Sequence, residues 1–262
     1  MSTSTKHALQ LHDARLTGQR IDPLTTSDPL LDIKRAYDVQ WNGVQLRLHE
    51  GEHIIGAKLG LTSQAKQREV GFTSPIFSWL TSGMRHRSGH PLSLSNLRVP
   101  RVEPEIALIL RRELGNDAET VASLYDAISF VAPSMEILDS RYHTNAPSLP
   151  DVISDGASAA GFVVGEPVPY DPSEDPDLEQ IRCAFLINGS PVAGASATEA
   201  LGGPVRALAA LVEIVRGQGR RVPAGAIVMT GGLTRAFPIN PGDLVAADFG
   251  PILGRVELPT TP

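Results

Sequence analysis

Glycine and proline interrupt this chain so often that few long regular elements are open to it: 24 glycines and 21 prolines stand among 262 residues. Each favours a turn, a cap or an edge over the interior of a helix. Aromatic residues make up 5% and no low-complexity tract is present. That pattern predicts many short strands joined by turns rather than a helical bundle. A chain of this length buries about 70–75% of its unfolded surface, so it needs no metal or disulfide to fold. Its single cysteine, Cys183, excludes an intrachain disulfide and any paired-cysteine metal site. The net charge of −6 argues against a general nucleic-acid binder. No apolar run approaches the ~20 residues that cross a bilayer. The N-terminus lacks the apolar core of a secretory signal, so the expected compartment is the cytosol.

Residues 1–50 read as a helical segment packing on the rest. Asp28 can cap a helix with Pro29 at its first position, and Ile33, Tyr37, Trp41, Val44 and Leu48 fall on one face. From residue 51 the pattern changes. A strand is expected over 53–61, a short helix over 62–70, and a turn-rich stretch over 71–84. Strands over 102–110 and 130–138 flank a helix around 119–128. Asn188-Gly189 predicts a hairpin. Pro204 opens a helix that Gly217 and Gly219 close, and short strands follow to the C-terminus. The order is that of an α+β fold, not a doubly wound one.

Nucleotide-binding, zinc-protease and serine-hydrolase motifs are all missing. The histidines show no ligand spacing, and His86 and His90 read as surface residues. The conspicuous feature is the placement of carboxylates. Glu103 and Glu105 alternate with Val102, Pro104 and Ile106, so a strand sets both on one face. Two such carboxylates repel each other unless a cation lies between them. Glu136 sits in the next apolar strand. Three hard oxygen ligands suit Mg²⁺ or Mn²⁺; the alternative is a solvated face bridged by Arg101, Arg111 or Arg112. Lys58, between Gly56 and Gly60 in an apolar strand, either reaches the rim or points into a pocket.

Seven segments, taken in order, carry a resemblance. They are AYDVQW (36–41), GAKLGLTSQAK (56–66), SPIFSWL (74–80), PRVEPEIALIL (100–110), MEILDSRY (135–142), DVISDGAS (151–158) and IVMTGGLTRAFPINPGD (227–243). Together the chain resembles the hydratase/decarboxylase branch of the fumarylacetoacetate hydrolase superfamily. That branch holds the 2-keto-4-pentenoate hydratases and 4-oxalocrotonate decarboxylases of aromatic meta-cleavage catabolism. The resemblance implies a mixed β-roll over 51–262 and a divalent cation, Mg²⁺ or Mn²⁺, held by Glu103, Glu105 and Glu136. It assigns catalysis to Lys58 and Ser158, and substrate contacts to Leu61, Ser82, Asp155, Thr230 and Gly231. It further implies a small 2-oxo acid substrate, a homo-oligomer, and association with a homologous hydratase.

The chain departs from the family pattern at three places. Ser82 stands where an aspartate is usual, and Gly156 and Gly161 replace polar or basic residues. The segments IVMTGG, DSRY, SPIF and AYDVQW are closer to the decarboxylases. The expected reaction is therefore decarboxylation of 4-oxalocrotonate (2-oxo-3-hexenedioate) to 2-hydroxypenta-2,4-dienoate through a dienolate on the cation, with hydration of 2-keto-4-pentenoate as the alternative. An acylpyruvate-type hydrolase would need a His–Glu pair to activate water, and no histidine lies in a matching context. An inactive regulatory paralogue would not need the intact set of three glutamates.

Overall fold

Two long antiparallel strands carry the architecture, β5 (Arg101–Leu110) and β6 (Ile128–Leu138). The computed structural model describes residues 1–63, 67, 72, 74–144 and 146–262. Around this pair a nine-stranded mixed sheet assembles in the order β2 (Ile76–Thr81), β1 (Ile54–Gly60), β11 (Ile227–Met229), β5, β6, β7 (Ala159–Val164), β3 (Arg85–Arg87). Two short strands join its flanks: β12 (Phe237–Pro238) pairs with β5, and β8 (Val168–Pro169) with β6. A second sheet of five strands runs β10 (Ser190–Ser196), β9 (Arg182–Ile187), β13 (Leu244–Asp248), β14 (Arg255–Thr261), β4 (Leu92–Ser93). The hairpin between β9 and β10 turns at Asn188 (φ 53°) and Gly189 (φ 77°), the two left-handed positions that an Asn-Gly pair supplies at low cost.

Period-two alternation divides the nine-stranded sheet into two faces. One face carries Val102, Ile106, Leu108, Val131, Met135 and Ile137 into the main core. There they meet Phe185, Val245 and Val256 of the second sheet, and Leu208 and Leu211 of helix α6 (Pro204–Gly217). The other face carries Ala107, Ala132, Phe162, Ile227 and Met229 into a separate apolar cluster. The same alternation directs Glu103, Glu105 and Glu136 to that second face.

At the N-terminus, α1 (Thr3–Thr17), α2 (Leu24–Ser27) and α3 (Ile33–His49) form a helical layer. Helix α3 packs on β2 and on α5 (Leu149–Ser154). Gln40 fastens both contacts, its Nε2 donating to the carbonyls of Phe77 (3.0 Å) and Ile153 (2.9 Å). The remaining helices are α4 (Val121–Asp126) and the single turn α7 (Gly250–Leu253). Among the described residues no helix is long and apolar enough to cross a membrane.

Three local expectations change. Helix α3 is capped by Asp32, whose carboxylate accepts from Arg35 N–H at 2.8 Å, and not by Asp28. Asp28 is instead held by Arg35 Nη2 (2.5 Å) and His7 Nε2 (3.3 Å), tertiary partners that outcompete a local cap. Ile33 consequently starts the helix on its exposed side. The stretch expected to be turn-rich contains β2, buried at every position. With both faces covered, Ile76-Phe77-Ser78-Trp79-Leu80-Thr81 has no alternation by which a strand would be recognised. The helix expected over 62–70 falls mostly outside the described residues.

Gly56 is where β1 and β11 come closest. A methyl group there would overlap the Ile227 carbonyl in the neighbouring strand. Gly56→Ala should therefore cost about 3 kcal/mol or more, read as a loss of thermal stability. A stability equal to the parent would show that the strands can separate without penalty.

Candidate metal centre and substrate cavity

Antiparallel pairing turns the E-x-E spacing into a cluster of three carboxylates. The register sets Glu103 opposite Glu136 and Glu105 opposite Ser134. One oxygen from each of Glu103, Glu105 and Glu136 lies within 4.8 Å of the others, and all three residues are buried. Lys58 joins them from β1, with Nζ 2.9 Å from Glu136 Oε1 and donating to the Ala157 carbonyl at 3.0 Å. Strands β1 and β6 are three places apart in the sheet order. A flat sheet would separate them by about 14 Å, beyond the reach of a lysine. The contact exists because the sheet rolls over, closing β1 onto β6 across its inner face.

Among the described residues, three carboxylates face one ammonium at this centre. Two unit charges this close repel by roughly 3–4 kcal/mol at an effective dielectric of about 20. Burial, and then repulsion from Glu136 and Glu103, holds the Glu105 carboxyl well above the ordinary carboxylate range. Glu105 Oε2 accepts from Gly231 N–H at 2.8 Å, but its buried Oε1 has no hydrogen-bond partner among the described residues. An unsatisfied buried acceptor inside a nest of carboxylates is a site that a cation completes. An all-oxygen donor set fits Mg²⁺ or Mn²⁺.

The segment after β11 closes around this centre. Thr230 donates to the Ile106 carbonyl through both N–H (3.1 Å) and Oγ1 (2.9 Å), and Leu233 N–H donates to the Pro104 carbonyl at 2.9 Å. Pro104 thus turns its donorless edge toward this segment, which lets a proline stand inside a central strand. A Cβ on Gly232 would lie 2.5 Å from Glu103 Oε1, so only glycine passes so close to the carboxylate.

A family model, fumarylacetoacetate (FAA) hydrolase C-terminal, matches residues 56–258. This chain belongs to the fumarylacetoacetate hydrolase family. A 4-oxalocrotonate decarboxylase from a Pseudomonas species is 34% identical over 97% of this chain and 96% of its own length. A 2-keto-4-pentenoate hydratase from Burkholderia vietnamiensis is 34% identical over 92% of this chain and 91% of its own. The solved 4-oxalocrotonate decarboxylase from Pseudomonas putida G7, complexed with magnesium and adipate, matches with a TM-score of 0.93 at 30% identity. It covers 98% of this chain and 97% of that one. The α+β, mixed β-roll fold is thereby that of the fumarylacetoacetate hydrolase family, with helices added at the N-terminus.

Beside the carboxylates of this family member opens a cavity of about 410 Å³, lined by Leu61, Val99, Arg101, Leu138, Val152 and Ser158 among others. Its rim is conformationally strained. Leu61 (φ 57°), Ala157 (φ 54°) and Ser158 (φ 60°) are left-handed without being glycine, at about 1–2 kcal/mol each. The turn at 156–158 aims the Ala157 carbonyl at Lys58 Nζ.

Among the residues expected at the site, Lys58, Glu103, Glu105 and Glu136 converge, and Leu61 and Ser158 border the cavity. Thr230 and Gly231 stand beside the carboxylates, where they hold β5 and Glu105. Asp155 points elsewhere, its carboxylate paired with Arg141 Nε. Burial pushes the Asp155 carboxyl up to about 6 against the pull of that guanidinium. Ser82 lies at the opposite end of the β1–β2 pair from Leu61: Thr81 pairs with Ile54, whereas Gly60 pairs with Ile76. Its Oγ accepts from His53 N–H at 3.2 Å. The other two departures from the family pattern have local reasons. Gly156 (φ 62°) keeps a left-handed position that asparagine also tolerates. A Cβ at Gly161 would lie 2.7 Å from His86 Nε2, so the small residue makes room for the His86 ring. His86 is accordingly half-buried rather than on the surface, and burial lowers its pKa. In the sequence Arg101 reads as a salt-bridge partner of the glutamates, and its parity with Glu103 sets it on the cavity side.

Proposed function

We propose that this chain is a Mg²⁺- or Mn²⁺-dependent carbon–carbon lyase that decarboxylates 4-oxalocrotonate to 2-hydroxypenta-2,4-dienoate. The observation that carries the reading is the buried cluster of Glu103, Glu105 and Glu136 with Lys58 against it. The three glutamates would hold the cation, whose contribution when bound is to withdraw negative charge from the 2-oxo group of the substrate. As the bond to the departing carboxylate breaks, its electron pair enters the conjugated chain and CO₂ leaves. The two double bonds of a dienolate form, and charge arrives at the C2 oxygen. Lys58 holds a proton at Nζ beside the cluster and supplies it to that oxygen, giving the dienol. Ala157 orients Nζ through its carbonyl. Leu61 and Leu138 keep water from the reacting carbons, and Ser158 contacts the substrate at the cavity rim. Asp155, Thr230 and Gly231 support the site from outside the cavity, whereas Ser82 lies at the far end of β2 from it.

The hydratase reading uses the same centre. Lys58 would then take the proton of the enol hydroxyl and pass one to the far carbon of the dienol, and water would add to the resulting enone. Similarity to the Burkholderia hydratase favours it as the second reading. Residues 1–50 are read as a helical cover and 51–262 as the catalytic unit. By resemblance the protein is a cytosolic homo-oligomer able to associate with a homologous hydratase.

A side-by-side assay on 4-oxalocrotonate and 2-hydroxypenta-2,4-dienoate tests the reading. CO₂ release with Mg²⁺, lost after exhaustive EDTA treatment and restored by Mg²⁺ or Mn²⁺, is the expected outcome. Consumption of the dienol alone would make the protein a hydratase. Turnover that survives chelation would remove the carboxylate cluster from the mechanism.

A further inference from the structure

The substrate proposed above carries a second carboxylate, and the cavity beside the metal centre presents one cation among the described residues that line it. Arg101 opens β5 two residues before Glu103. Strand periodicity puts both side chains on the same face, their backbones about 7 Å apart. In register, Arg101 stands opposite Leu138 and Glu103 opposite Glu136, so the arginine sits one step farther out along the same pair of strands.

Three arginines flank β5, and two of them are committed. Arg111 donates to the Ile128 carbonyl from Nε (3.1 Å) and Nη2 (2.6 Å), and Arg112 grips Glu119 at 2.9 and 2.7 Å. Arg101 is exposed, and its guanidinium has no hydrogen bond or ion pair among the described residues. The acidic side chain on the same wall, Asp139, faces the backbone, accepting from Arg98 N–H (3.1 Å) and Val99 N–H (2.7 Å). Beyond these two charged groups the wall is mostly apolar, through Leu61, Val99, Leu138 and Val152. Such a wall suits a hydrocarbon chain with an anion at each end, one end for the metal centre and one for the arginine.

We propose that Arg101 binds the carboxylate of the substrate remote from the 2-oxo group, and so gives this site its preference for a dicarboxylic over a monocarboxylic 2-oxo acid. The proposal rests on the lyase reading above. It also sets the direction of the kinetic effect. The remote carboxylate is the one that leaves as neutral CO₂, so its ion pair stabilises the bound substrate and fades in the transition state. Arg101 is a binding and specificity residue: its loss raises KM without lowering kcat.

The test compares two unreactive six-carbon acids, adipate and hexanoate, by calorimetry on Mg²⁺-loaded protein, for the parent, Arg101→Ala and Arg101→Lys. Arg101→Ala should weaken adipate at least about tenfold and leave hexanoate unchanged, with Arg101→Lys in between. Equal weakening of both acids, or of neither, overturns the role of Arg101 while leaving the lyase reading intact. If the parent takes up Mg²⁺ but binds neither acid, the cavity is not a substrate site and both fall. The Mg²⁺ midpoint, measured on all three proteins, should not move.

Discussion

Glu105→Gln is expected to stabilise the metal-free protein and to abolish its metal-dependent turnover. The two effects have opposite signs and one cause. Without a cation, Glu105 is fully buried beside Glu103 and Glu136, and its Oε1 lacks a hydrogen-bond partner among the described residues. A neutral amide of the same shape removes the repulsion, and its carbonyl oxygen still accepts from Gly231 N–H. A gain of about 1–2 kcal/mol would raise Tm by roughly 3–6 °C in EDTA. With one ligand gone, turnover should fall by about 10³-fold or more, and the rise in Tm on adding Mg²⁺ should shrink or vanish. Parent and variant melting together in EDTA, and rising equally with Mg²⁺, would show that no cation is held there.

Lys58→Met should lower kcat by about 10²–10⁴-fold while leaving Mg²⁺ binding as tight or tighter. Methionine keeps the unbranched stem and loses the ammonium that faces Glu136 at 2.9 Å. In the metal-free state that loss takes the ammonium away from a buried carboxylate and should cost about 3–5 kcal/mol. Added cation recovers part of it, so the Mg²⁺-induced rise in Tm should exceed that of the parent. These readouts separate the roles of the residue. An unchanged kcat with a raised KM would make Lys58 a binding group outside the proton transfer.

The proposed metal ligands are legible in the sequence because strand alternation is a local rule. Glu103 and Glu105 declare a shared face by their spacing, and Glu136 stands out as a charge in an apolar run. Their convergence was not legible, because pairing register depends on residues far apart in the chain. The partnership of Lys58 with Glu136 was even less so, since it requires a sheet that curls across three strands. Strand β2 escaped notice because burial on both faces erases the alternation that marks a half-buried strand. The cap at Asp28 failed for the complementary reason: Asp28-Pro29 is a sound local signal, overridden by Arg35 and His7 once α1 and α3 pack together. Asp155 and Ser82 have polar side chains that suit a pocket, yet Asp155 is held by Arg141, and Ser82 lies at the far end of β2 from the cavity.

By itself the amino-acid order determined the α+β class, the Asn188-Gly189 hairpin, the helix opened by Pro204, and which side chains share a strand face. All of these follow from torsional preferences and periodicities acting over a few residues. Only the folded chain decided that three acids and one amine meet, that Arg101 lines a cavity with Leu61 and Ser158, and that Asp28 serves two neighbours instead of a helix end. Those outcomes hang on how a twisted sheet closes upon itself, and closure sums contacts from the whole molecule that no short stretch of residues contains.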